Sequence, residues 1–198
     1  MEYAFNVYNK FAADGAAMSV QKFLSAAWQR RQEREQTDGA DTRLTGLNSS
    51  PVVVCVGSDL AIGDCLGPIT GSMLKRKTQG LSTFIYGTLS APVTAKEIRY
   101  MRKFLKETHP KTPVIAVDAA VGGEGDIGLI KISDSPLRPG AGANKNLGTV
   151  GDLSVMGIVA EKSVANYALL NQTRLNLVYK MSEIISDALA NLLYEKRV

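Results

Sequence analysis

Short, continuously apolar runs alternate along this chain with longer stretches whose apolar residues recur every three or four positions. That is the pattern of strands buried on both faces alternating with amphipathic helices. Val52-Val53-Val54-Cys55-Val56 is the first such run, Thr83–Gly87 the second, and Pro113–Val117, finishing on Asp118, the third. Gly128–Ser133 reads as a hairpin strand and Leu153–Val159 as a further one. Between the first two runs Leu66, Ile69, Thr70, Met73, Leu74 and Lys77 share one helical face, with Lys75 and Arg76 in the last turn, where cations suit the helix dipole. Pro92 opens a second helix, on which Ile98, Met101, Phe104 and Leu105 recur, and His109-Pro110 closes it. A long final helix carries the stripe Leu170, Leu177, Val178, Met181, Ile185, Ala188 and Leu192. Near the start, Phe5, Tyr8 and Phe11, then Val20, Phe23, Leu24 and Trp28, stand at near-helical spacings interrupted by Asp14-Gly15, which predicts one or two short amphipathic helices. Gln29 to Ser50 is polar: Arg30 to Glu35 continues the helix as a solvated face, and Asp38-Gly39 breaks it into a surface linker. The order predicts an α/β fold with a mostly parallel central sheet flanked by helices and joined by right-handed crossovers. Residues 1–50 are then an N-terminal helical extension and linker, and 51–198 the α/β domain.

Composition narrows the class. At 198 residues, 45% hydrophobic and 21% charged, the chain is long enough for one substantial core and short for two. A net charge of +4 is mild, and its Lys and Arg residues are scattered along helices, so nucleic acid is not indicated as a partner. Two cysteines, one inside a strand and one in a loop, show neither metal spacing nor a disulfide framework and fit a reducing cytoplasm. No apolar run approaches the roughly 18 residues that span a bilayer, and Met1-Glu2 opens no basic-then-apolar signal. The expectation is a cytoplasmic protein with no membrane partner.

The richest segment is Gly57-Ser58-Asp59-Leu60-Ala61-Ile62-Gly63-Asp64-Cys65-Leu66-Gly67-Pro68, directly after the first strand. Its glycines allow a sharp turn, and Pro68 suits a first helical turn because its missing N–H had no partner there. A loop between a parallel strand and its helix lies at the carboxyl edge of the sheet, where such folds bind ligands. If the first and third strands are neighbours, Asp64 and Asp118 both project from that edge. A carboxylate beside a helix start and another at the end of an apolar strand have environments that push their proton affinities apart, which could supply a base and an acid for activating water. Asp64 equally suits a helix cap, and Asp59 suits a turn that bonds its own loop. Asp118, followed by Ala119-Ala120, has little capping use.

Other motifs fail on context. Gly123-Glu124-Gly125-Asp126-Ile127-Gly128 spells a dinucleotide fingerprint but carries two acids and runs into a strand. Gly140-Ala141-Gly142-Ala143-Asn144-Lys145 lacks the ending of a phosphate loop; it reads as a substrate-lining or plain surface loop, with phosphate the lesser choice. Cys65 as a nucleophile would want a histidine. The one histidine, His109, precedes the third strand and so lies roughly 15 Å or more from Asp118 at about 3.3 Å per residue. It reads as a surface residue at a helix end.

Several blocks together carry a resemblance: Val54 to Pro68, Tyr86-Gly87-Thr88-Leu89, Val117-Asp118-Ala119, Pro139 to Lys145, Gly151-Asp152-Leu153-Ser154 and Asn171-Gln172-Thr173-Arg174-Leu175. In that order they resemble the YyaC family of bacterial sporulation proteins, from about Pro51 to the C-terminus. More distantly the chain is similar to the spore germination protease and to the hydrogenase maturation endopeptidases. The resemblance implies a phosphorylase/hydrolase-like three-layer α/β fold and an endopeptidase using Asp64 and Asp118, the two positions that match the acids regarded as catalytic in the germination protease. It implies a protein or peptide substrate, with small acid-soluble spore proteins as the candidate, and a forespore or spore-core location. In the maturation endopeptidases the same two positions bind nickel with a histidine; no histidine stands at a plausible third position here, so neither metal nor cofactor is expected. Asp59, Gly63, Gly140, Gly142, Asn144 and Lys145 are the candidate substrate-binding residues. The competing readings are a non-catalytic peptide-binding or regulatory protein on the same fold, and a phosphorylase-like enzyme of small molecules. A homo-oligomer is left open.

Overall fold

The computed structural model describes residues 1–37, 50–140, 147–162 and 173–195. Chain order runs β1 (Glu2–Asn6), α1 (Ala12–Thr37), β2 (Val52–Cys55), α2 (Leu66–Lys77), β3 (Phe84–Tyr86), α3 (Ile98–Thr108), β4 (Val114–Gly122), β5 (Leu129–Ser133), β6 (Leu153–Glu161) and α4 (Leu175–Glu195). The strands form a six-stranded sheet in the order β1-β5-β6-β4-β2-β3. β3, β2, β4 and β6 run parallel, while β5 is antiparallel to both of its neighbours, β6 and β1.

The continuous apolar runs are explained by burial on both faces. Along β2, Val53 and Cys55 enter a core with α1, α2 and α4, whereas Val52 and Val54 enter a second core with α3. β4 alternates likewise, with Ile115 and Val117 on the first face and Val114 and Ala116 on the other. Three layers result, helices on either side of a mostly parallel sheet.

Four predicted elements differ. The N-terminal segment is not all helical: Glu2–Asn6 is an edge strand paired residue by residue with β5. Its Tyr3 ring stacks on Phe23 at 5.5 Å. Phe5, Tyr8 and Phe11 mimic a helical stripe in sequence, but Phe5 belongs to the strand and the other two are exposed. The Asn6 and Asn9 side chains accept from the Tyr8 and Phe11 amides, forming the turn that ends the strand. Asp14-Gly15 does not interrupt α1, because a Cβ at Gly15 would stand 2.4 Å from the Phe5 ring; the glycine is where strand and helix meet. Asp38-Gly39 lies outside the described residues.

Pro92 does not open α3. Val93 instead forms a parallel bridge to Val56, and the helix is prepared by Thr94, whose N–H and hydroxyl both donate to the Glu97 carboxylate. That is the reciprocal partner of a capping box, one turn before Ile98. β4 does not stop at Asp118 but continues to Gly122, paired with β6 and with an irregularity between Ala120 and Val121. β5 is not a hairpin partner of β4; it pairs with β6 and β1, and its alternating burial suits a strand near the sheet's edge with one face covered. The final helix follows its predicted stripe from Val178 to Leu192, while Leu170 lies outside the described residues.

Candidate functional site

The site is built where β2 ends and β4 goes on. The last backbone bond between them runs from Val56 N–H to the Val117 carbonyl at 2.7 Å, so Asp118 is the first β4 residue beyond the shelter of β2. On its other side it is held in register opposite Met156 of β6. The expected neighbouring of the first and third strands is therefore present.

The loop after β2 is drawn tightly over this edge. Gly57 has φ +140°, and a Cβ there would stand 2.1 Å from the Asp64 carbonyl oxygen; one at Gly67 would stand 1.9 Å from the Val56 carbonyl oxygen. Only bare backbone fits, so the loop folds back on itself and α2 starts in contact with the strand end. Asp64 lies in a single 3-10 turn, Gly63–Cys65, immediately before α2. It makes no cap hydrogen bond to the helix. Its carboxylate instead accepts the Ser58 hydroxyl at 2.8 Å. The capping role that the sequence allowed is thus not the one adopted.

Asp118 is 8% exposed, and one carboxyl oxygen accepts the Ala119 N–H at 2.8 Å. Burial above all, and then the Asp64 charge, hold its carboxyl well above the usual carboxylate range, against the opposing pull of the Ala119 bond. The two aspartates are therefore in electrostatic contact in unlike settings: Asp118 buried, Asp64 half-buried with a hydroxyl donor.

In the loop that leads to Asp64, Asp59 is exposed and Gly63 buried. The amides from Ser58 to Ile62 hold no acceptor among the described residues. Gly140 is half-buried with φ +74°; Gly142, Asn144 and Lys145 lie outside the described residues. Ser133 pairs with Ser154, and Leu137 with Val150. The chain therefore leaves β5 and enters β6 at the amino edge of the parallel strands, opposite the carboxyl edge that carries Asp64 and Asp118, so the sheet itself does not bring the Gly140 segment to the aspartates.

Cys65 does not meet a histidine. Its thiol is pushed up by burial and by the charges of Asp64 and Asp59, which disfavours the thiolate. His109 ends α3 and is not a plain surface residue: its Nε2 lies 2.8 Å from the Tyr86 hydroxyl, among the rings of Phe84 and Phe104. Among the described residues no group of three His, Cys, Asp or Glu side chains could hold a metal ion. The donor set at Asp64 and Asp118 thus does not fit the nickel site that the maturation endopeptidases imply.

Ser58, the hydroxyl that orients Asp64, is the residue sequence reasoning passed over. Its signal was its place between the turn glycine of a strand end and an acid six residues on.

With this geometry in hand, residues 34–188 match the family described as "Protein of unknown function (DUF1256)". The chain belongs to that family. The chain is also similar to the uncharacterized protein YyaC from Bacillus subtilis (strain 168), 43% identical over 140 residues that cover 70% of this chain and 67% of that one. The expected likeness to YyaC is borne out. Among solved structures the DUF1256 chain is similar to the [NiFe] hydrogenase maturation protease HycI from Thermococcus kodakarensis KOD1, with a TM-score of 0.46 and 18% identity, covering 73% of this chain and 92% of that one. Among the described residues no helix is long and apolar enough to cross a membrane.

Proposed function

We propose that this protein is an aspartate-dependent endopeptidase that cleaves a protein substrate, with Asp64 and Asp118 as its catalytic residues. The observation that carries the reading is the buried Asp118 carboxyl, its proton affinity raised by burial and by the charge of the more open Asp64, where β2 gives way to β4. Two carboxyl groups in environments this different divide naturally into an acid and a base.

In this mechanism the Asp64 carboxylate, oriented by Ser58, takes a proton from a water molecule as its oxygen attacks the peptide carbonyl. The amides of Ser58 to Ile62, which hold no acceptor among the described residues, are the candidate donors to the oxyanion that develops. Asp118 then gives its proton to the departing nitrogen as the C–N bond breaks. The products are a carboxylic acid and an amine, and the proton left on Asp64 replaces the one Asp118 lost. Activity should fall as pH rises through the elevated Asp118 value, because the acid form is consumed. We propose the forespore or spore core as the setting and small acid-soluble spore proteins as the substrate class, a reading supported only by the resemblance to sporulation proteins.

The test is incubation of the native protein, Asp64→Asn and Asp118→Asn with small acid-soluble spore proteins, with fragments identified by mass spectrometry. Discrete fragments from the native protein alone are expected. Equal fragmentation by Asp118→Asn would remove Asp118 from the chemistry. Substrate that is bound but intact would assign a non-catalytic, peptide-binding role.

A further inference from the structure

β3 is the last strand of the sheet, paired on one side with β2 and open on the other. It is also short, and Phe84 stands 52% exposed. Beside the open edge runs a groove of about 640 Å³ between β3 and the C-terminal half of α2, reaching from Gln79 and Phe84 at one end to Thr88 and Ser90 at the other. Its charge is one-sided: Lys75 and Arg76 line it and no acid does. Both cations are exposed, and among the described residues neither has an acidic partner, whereas the adjacent Lys77 is already paired with Asp187 at 2.6 Å.

An open strand edge offers unpaired N–H and C=O groups to an extended chain, and alternate side chains of that chain would fall toward the groove. Two uncompensated cations select acidic side chains there. We infer that this groove is a docking site for an acidic, extended segment of the protein substrate, which adds to the sheet as a strand beside β3. The occupant rests on the peptidase reading; the site rests on the open edge and the charge.

The geometry also connects groove and candidate catalytic pair. A docked strand, β3, β2 and β4 would lie side by side, so three strand spacings of about 4.8 Å separate the docked segment from Asp118, or roughly 14 Å. Beyond Thr88 the substrate must cross the ends of β3 and β2, which takes about four to five extended residues. The acidic segment is therefore a separate element of the substrate, displaced by that length from the bond that is cut.

The experiment uses the full-length Asp118→Asn protein, so that binding is read without turnover, and measures fluorescence anisotropy of a labelled peptide alternating Glu with Val. Tight binding is expected, lost when Lys replaces Glu. It should be weakened about tenfold or more by Lys75→Glu/Arg76→Glu, with an unchanged melting temperature as the check on folding. N-methylation of alternate peptide nitrogens, which blocks strand pairing and leaves charge intact, should weaken it comparably. Equal affinity after charge reversal or after N-methylation overturns the site, as does no binding at all. Concentration-dependent dimerisation that excludes the peptide overturns it in favour of a second copy. The two readings separate cleanly. Cleavage by the native protein that is unaffected by Lys75→Glu/Arg76→Glu refutes the groove alone, whereas peptide binding together with small acid-soluble spore proteins left intact by the native protein refutes the peptidase alone.

Discussion

Replacing Asp118 with Asn removes a titrating group while leaving an amide oxygen that can still accept the Ala119 N–H. The carboxyl it replaces is 8% exposed, takes one hydrogen bond, and pairs with no basic side chain among the described residues. Its ionised form loses hydration without a cation to replace it, and the Asp64 charge adds to the cost. In the unfolded chain the same group titrates near pH 3.9. Between that pH and the elevated folded value, the native state binds a proton that the unfolded state has released. Stability must then fall as pH rises, by up to about 1.4 kcal/mol per pH unit. The contribution of the neutral carboxyl is fully present below about pH 4 and is lost as pH rises through the folded value. Urea unfolding of both proteins across the acidic and neutral range gives the difference curve. It should be flat at the acid end, then turn in favour of Asn, then level off once Asp118 ionises in the native state. A difference that does not change with pH, or one in which Asn loses ground as pH rises, would refute the desolvation argument and with it the acid role assigned to Asp118.

Gly87→Ala should cost roughly 2–4 kcal/mol, because Gly87 has φ +85° and a Cβ there would stand 1.8 Å from the Cys55 carbonyl oxygen; a thermal melt within a degree or two of the native one would contradict the contact. Arg31→Ala removes a two-pronged pair with Asp152, closest at 2.8 Å, and a bond to the Pro110 carbonyl. The urea midpoint should drop by an amount worth about 1–3 kcal/mol, since Asp152 must go on holding the Val114 amide without its counter-ion. Neither thiol should alkylate quickly in the native protein at neutral pH, Cys55 being fully buried and pushed up to about 12 and Cys65 raised as well. Iodoacetamide labelling followed by mass spectrometry reads this directly, and Cys65→Ser should leave cleavage unchanged.

Strand β2 and helix α2 were legible because their signals are local: an uninterrupted apolar run, then a three-to-four-residue period, with Gly57, Gly67 and Pro68 marking the turn between them. The candidate pair of aspartates was legible for the same reason, as each follows a readable strand. Asp118 was read as a strand end because the apolar run Pro113 to Val117 stops there and a glycine-rich stretch follows. β4 nevertheless runs on to Gly122 because β6, nearly forty residues later, is long enough to pair with it. β1 was misread because Phe5, Tyr8 and Phe11 fit a helical spacing. The period-two alternation of Glu2-Tyr3-Ala4-Phe5-Asn6 acquires meaning only from β5, which supplies the pairing edge.

By itself, then, the sequence determined the alternation of buried strands and amphipathic helices, the turn after β2, and which acids stand near strand ends, since each depends on backbone and side-chain preferences over a few neighbouring residues. The tertiary structure alone decided that β1 and β5 complete the sheet, that Ser58 and not a helix end engages Asp64, and that β3 is left open beside two cations with no acidic partner among the described residues. It also decided that Asp118 is buried deeply enough to favour its proton. These outcomes depend on which distant segments pair and on how much water they exclude, and no local window of the chain contains either quantity.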